Sequence, residues 1–113
     1  MSLYTFLVLT NAKDGRDDEF NDWYTNTHLA DVVKIDGFVA AQRFRIVDGA
    51  HEQTPSHRYM ALYEIEADDL AMAQKALAAA AESGEMPVSS SLDAHNVSAW
   101  YFEAMTDRVV APD

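Results

Sequence analysis

The sequence predicts an α+β fold in which a four-stranded antiparallel sheet carries two helices on one face. Three observations predict it. Four runs of β-branched and aromatic residues alternate with two helical patterns in the order βαββαβ, and Gly, Asn, Asp and Pro punctuate the joins. The chain has 113 residues, 49% apolar and 24% charged, which suits one soluble domain burying about 65% of its unfolded surface. Residues 1–113 are therefore expected to form a single domain.

Leu3 to Thr10 (LYTFLVLT) is the first strand, ended by the turn-forming stretch Asn11 to Gly15. From Asp17 to about Lys34 the pattern turns helical, with Phe20, Tyr24, His28, Val32 and Ile35 on one arc at ~100° per residue, and Asp36-Gly37 ends it. Phe38 to Val47 reads as a second strand, Asp48 to Ser56 as a loop, and His57 to Glu66 as a third strand. Asp68 is the expected cap of a second helix running to about Glu82, with Leu70, Ala73, Leu77, Ala80 and Ala81 as its buried stripe and Ser83-Gly84 as its stop. Glu85 to Ala94 is a connection, and His95 to Met105 the last strand. Right-handed crossovers then place both helices on one side of the sheet, the ferredoxin-like arrangement.

Composition excludes several classes. There is no cysteine, hence no disulfide framework and no thiolate metal site, and cytoplasm is the default compartment. No stretch approaches the ~18 apolar residues of a membrane span, and Met1 to Thr10 lacks the marks of a signal peptide and is read as structure. A net charge of −11, from 8 basic and 19 acidic residues, opposes binding to nucleic acid or anionic membrane. The expected partners are small molecules and a second copy of the chain. The acidic groups Asp17, Asp18, Glu19 and Asp68, Asp69 stand where helices begin and suit the positive helix ends.

Two helices cover only one face of such a sheet, yet both faces of these strands are apolar. On the first strand Leu3, Leu7 and Leu9 oppose Tyr4, Phe6 and Val8. On the third, Met60 and Leu62 oppose Tyr59, Ala61, Tyr63 and Ile65, and on the last Trp100 and Phe102 oppose Tyr101 and Met105. A homodimer through the sheet face removes this surface from water. The alternative is a C-terminal segment or loop folded over it.

His28 stands out because it falls inside the apolar arc of the first helix, between Tyr24 and Val32. An inward imidazole beside a phenol is a candidate acid/base group, with Asp31 to orient it; the alternative is a core histidine bonded to a carbonyl or to Asp31. Phe20, Trp23, Tyr24 and Tyr63 are candidate walls of a ligand pocket, or simply packing. The alanines of the second helix leave either close contact or a cavity. Arg43 and Arg45 share one face of the second strand, where ion pairs with Glu64 or Glu103 are the expected use. His51, His57 and His95 match no zinc spacing, so no metal and no cofactor is expected.

The segment Trp23-Tyr24-Thr25-Asn26-Thr27-His28-Leu29-Ala30-Asp31, then Asp36-Gly37-Phe38 and Ala41-Gln42-Arg43-Phe44, resembles the EthD-like branch of the dimeric α/β-barrel superfamily. Ala30 and Asp36 depart from it where that branch commonly has proline. The resemblance implies a homodimer whose two sheets form a barrel, each subunit holding a pocket between its own sheet and helices, with His28, Phe20, Tyr24 and Asp31 as pocket residues. It implies a cofactor-free lyase, isomerase, cyclase or oxygenase acting by proton transfer on a largely apolar oxygenated substrate. Two other readings stay open: a ligand-binding homodimer without catalysis, and a heme-binding or heme-degrading protein in which an imidazole meets iron.

Overall fold

The computed structural model describes residues 2–113; Met1 lies outside the described residues. The strands are β1 (Ser2–Thr10), β2 (Phe38–Arg45), β3 (Tyr59–Ala67) and β4 (Ser98–Glu103). Between β1 and β2 run α1 (Asp17–Trp23), a π-helical turn (Tyr24–His28) and α2 (Leu29–Val32), and between β3 and β4 runs α3 (Leu70–Glu82). The sheet order is β2-β3-β1-β4 with every neighbour antiparallel. This is the expected ferredoxin-like βαββαβ fold.

Register assigns each side chain to a face. Phe6 lies opposite both Tyr63 and Tyr101, Val8 opposite Ala61, and Tyr4 opposite Ile65. This face meets the helices, and the core comprises Phe20, Tyr24, Val32, Phe38, Tyr59, Ala61, Tyr63, Ile65, Ala73 and Met86. Alpha-helix α3 comes close where Gly37 turns the chain into β2 at φ 94°; a Cβ there would stand 3.4 Å from the Ala73 Cβ. At that point the small residues of α3 make contact rather than a cavity.

The other face is bare. Leu7 lies opposite Leu62 and Trp100, and Thr5 opposite Phe102; Trp100 is 61% exposed and Phe102 54%. The C-terminal tail leaves Trp100 and Phe102 exposed, and Met105 is itself 96% exposed. Residues 104–109 bound a wide depression of about 1140 Å³ at one end of this face with Leu3, Thr5, Val39, Glu64 and Glu66.

Several boundaries differ from expectation for local reasons. Asp69, not Asp68, caps α3, accepting from the Ala71 N–H at 3.0 Å. Strand β3 starts at Tyr59, and just before it the Arg58 N–H donates to Asn11 Oδ1 at 2.9 Å rather than to a neighbouring strand. His95 and Asn96 belong to a 3-10 turn begun by Asp93, which delays β4 to Ser98. Ala81, in the last turn of α3, is exposed, while Leu70, Ala73, Leu77 and Ala80 reach the core. The connection after α3 is tied down: the Lys13 N–H donates to the Ser91 carbonyl at 2.8 Å and the Asp93 N–H to the Asn11 carbonyl at 3.0 Å, with Ser91 fully buried.

Candidate functional site

The site is built on the irregular part of the first helical segment. Thr25, Asn26 and Thr27 are weak helix formers whose side chains compete for local hydrogen bonds. Here the helix widens by a residue, and the Leu29 N–H donates five residues back to the Tyr24 carbonyl. Such π turns recur at functional sites. In this one, the His28 ring stacks on Trp23 at 4.8 Å and 29°, and meets Tyr24 edge-on at 4.8 Å and 86°. Trp23 is anchored in turn by its indole N–H, which donates to the Pro87 carbonyl at 3.3 Å.

His28 is half-buried, as its place on the apolar arc predicts. Among the described residues its Nδ1, shut off from solvent, has no hydrogen-bond partner; Nε2 is not closed off in this way. Burial pushes the imidazole below its ordinary range, with the charge of Asp31 acting in the other direction. The ring is therefore neutral at neutral pH. The expected orienting hydrogen bond from Asp31 is not formed: Asp31 acts through charge alone. It lines a depression of about 600 Å³ beside α3, with Lys34, Ala76, Ala80 and Glu85. At the π turn the chain carries Asp31 toward α3 rather than toward the imidazole nitrogens.

Phe20 and Tyr63, expected as pocket walls, are closed into the core at 0% and 2% exposure. Tyr24, 3% exposed, pairs with Tyr63 hydroxyl to hydroxyl at 2.6 Å. Burial raises both phenols above their ordinary range; for Tyr63 the neighbouring Tyr24 adds to the rise, and for Tyr24 the bond to Tyr63 and the charge of Arg43 partly offset it. Both hydroxyls stay protonated at physiological pH. Of the expected walls, only Trp23 and Tyr24 touch His28.

Arg43 is the residue whose use the sequence reading mistook. It sits on the helix-facing side of β2, opposite Ala61, whereas Glu64 points to the other face by alternation. No ion pair with Glu64 or Glu103 forms. The guanidinium carbon lies 4.5 Å from the Tyr24 ring centre, 5.3 Å from that of Tyr59 and 5.5 Å from that of Phe20. Its Nη1 donates to Thr25 Oγ1 and its Nη2 to Asn21 Oδ1, both at 3.0 Å. The signal was available: Ala41 and Arg43 alternate with Phe44, so one face of β2 that reads as core contains an arginine.

No protein-family model matches the sequence. Over 48 residues the chain is 47% identical to Core atranone cluster (CAC) protein 1 of Stachybotrys chlorohalonatus, which takes in 42% of this chain and 19% of that protein. The match thus spans about a fifth of that curated relative's length. Among solved structures the chain is similar to an ethyl tert-butyl ether D (EthD) family protein from Bacillus halodurans, with TM-score 0.62 and 20% identity over 93% of this chain and all of that one. It is similar to the heme-degrader MhuD of Mycobacterium tuberculosis, with TM-score 0.66 and 19% identity over 94% and 99% of the two chains. A dimeric ferredoxin-like protein from an uncultured marine organism matches at TM-score 0.61 and 11% identity over 95% and 98%. The chain shares the ferredoxin-like fold of these structures.

Proposed function

We propose that this chain works as a homodimer that binds a small, largely apolar oxygenated molecule and moves a proton on it through His28. One observation carries the reading: an imidazole kept neutral by burial, set between Trp23 and Tyr24, with Nδ1 closed off and Nε2 left to act. Because Nδ1 has no partner, nothing holds the ring in one tautomer, and Nε2 can serve as acceptor or as N–H donor. After taking a proton from an activated C–H or O–H, the ring is disfavoured by burial and supported only by the charge of Asp31, so it passes the proton on readily. The bare apolar sheet face, and the dimeric ferredoxin-like protein that shares the fold, support the homodimer.

The test is deuterium exchange at the activated C–H of 1-tetralone and related aromatic ketones, followed by NMR with the whole chain in D2O. Exchange above the buffer rate, abolished in His28→Gln with the fold retained by circular dichroism, is the expected outcome. Equal exchange by the variant removes His28 from the chemistry. No acceleration with any ketone, together with saturable binding of the same compounds, favours the non-catalytic ligand-binding reading.

A heme-handling reading has one observation in its favour, the open Nε2, since an imidazole nitrogen is a common heme-iron ligand. His28 would be the residue that holds the iron. Titration with hemin separates the readings: a Soret shift lost in His28→Ala supports heme binding, and an unshifted spectrum excludes it.

A further inference from the structure

Arg43 and its surroundings form a second arrangement that the His28 chemistry does not use. A depression of about 680 Å³ opens beside it, lined by Asn21, Thr25, Arg43, Arg45 and Tyr59 together with the apolar Phe44, Ile46 and Val47 and the acid Asp48. Neither His28 nor Asp31 lines it, so the site stands independently of the reading above.

The chain has a net charge of −11, and its other engaged arginines have carboxylate partners. Arg16 pairs with Glu19, and Arg58 with Asp48. Arg43 differs. Its two hydrogen bonds go to neutral side chains, and among the described residues no carboxylate reaches it. The acids nearby are already engaged: both Asp48 oxygens accept from Arg58 at 3.2 Å, and Asp17 accepts from the Tyr59 hydroxyl at 2.6 Å.

The guanidinium is also held still. Three aromatic rings surround it, and Asn21 and Thr25 fix one N–H on each terminal nitrogen, while Nε is buried without a partner. One N–H remains on each terminal nitrogen for an incoming oxygen to accept. A half-buried cation without an anion has lost hydration that a bound anion would replace, and preorganisation lowers the ordering cost of binding. Arg45, two residues on and exposed, adds charge on the same face.

We propose that this depression binds the carboxylate of a small apolar acid, with Arg43 as its fixed cation, Arg45 as a second charge at the rim, and Tyr59 and Val47 against the apolar body.

The experiment uses the full chain and two-dimensional amide NMR with three probes: benzoate, its neutral isostere benzamide, and inorganic phosphate. Benzoate should give saturable shifts centred on Asn21, Thr25, Arg43 and Arg45, with Kd of about 1 mM or tighter. Benzamide and phosphate should bind at least about tenfold more weakly, because one lacks the charge and the other the apolar body. Arg43→Gln should weaken benzoate by about tenfold or more, and Arg43→Lys should not restore it, since an ammonium lacks the planar fork. If Arg43→Gln fails to fold, the wild-type comparison of the three probes and the exposed variant Arg45→Gln, expected to weaken benzoate while folding normally, decide the matter. Equal binding of benzamide, equal binding of phosphate, absence of saturation, or shifts centred elsewhere would each overturn the proposal.

Discussion

Replacing Tyr63 by Phe offers the sharpest test of how this site is held. In the folded chain the Tyr63 and Tyr24 hydroxyls lie 2.6 Å apart and both residues are almost wholly buried. The substitution deletes one oxygen and strands the other, for among the described residues neither hydroxyl has a second hydrogen-bond partner. A buried polar group left unpaired costs about 1–3 kcal/mol, whereas removing both partners together is close to neutral. For a chain of this size each kcal/mol moves the melting temperature by about 4 °C, so Tyr63→Phe should lower it by about 4–12 °C. The double variant Tyr24→Phe/Tyr63→Phe should recover most of that loss. Thermal denaturation by circular dichroism, at one fixed protomer concentration because any association contributes to stability, completes the double-mutant cycle. If the double variant is as unstable as the sum of the single variants, the two hydroxyls are not paired and the reasoning fails. The same pair sets an alkaline limit. Both folded phenols are raised above the ordinary value of 10.0, so their contribution is complete below pH ~10 and is lost as the pH climbs through the folded pKa.

Three further outcomes follow from named contacts. Trp100→Glu puts a charge on the bare sheet face opposite Leu7; light scattering should show the mass falling from about twice 12.6 kDa to 12.6 kDa, with the dimer dissociation constant raised by about thirtyfold or more, and an unchanged dimer would refute association through this face. His28, lowered by burial, should titrate below 6.5 in its ring NMR signals; its contribution to stability is complete above pH ~6.5 and is lost as pH falls toward the folded pKa, a slope that His28→Gln should flatten. Gly37→Ala forces a side chain into φ 94° against Ala73 and should cost about 1 kcal/mol or more in urea denaturation; no loss would mean that the turn relaxes freely.

The sheet was legible because strand side chains alternate with period two, and the register bears this out: the residues read as Tyr4, Phe6 and Val8 on one face and Leu3, Leu7 and Leu9 on the other fall there. Helix α3 was legible from its alanines and its stop at Ser83-Gly84. The first helix was only partly so. A steady 100° per residue puts Phe20, Tyr24, His28 and Val32 in line, and Phe20, Tyr24 and Val32 are buried. The π turn breaks that regular step between Tyr24 and Leu29, and no hydrogen bond joins Asp31 to His28, which feels only its charge. Arg43 was misread because the ion-pair rule considers strand neighbours, while its partners come from a helix about twenty residues earlier in sequence.

Local sequence determined which segments become strands and helices, which residues turn the chain, and that the sheet has two apolar faces and only one set of helices. These follow from backbone sterics and the periodicity of apolar side chains, which act between near neighbours. Only the tertiary structure decided that His28 has one nitrogen sealed and without a partner, that two phenols 39 residues apart share a hydrogen bond, and that a guanidinium rests among three rings beside an open depression. Burial and electrostatic environment belong to the packed ensemble of groups that meet at a point, and no single stretch of chain contains them.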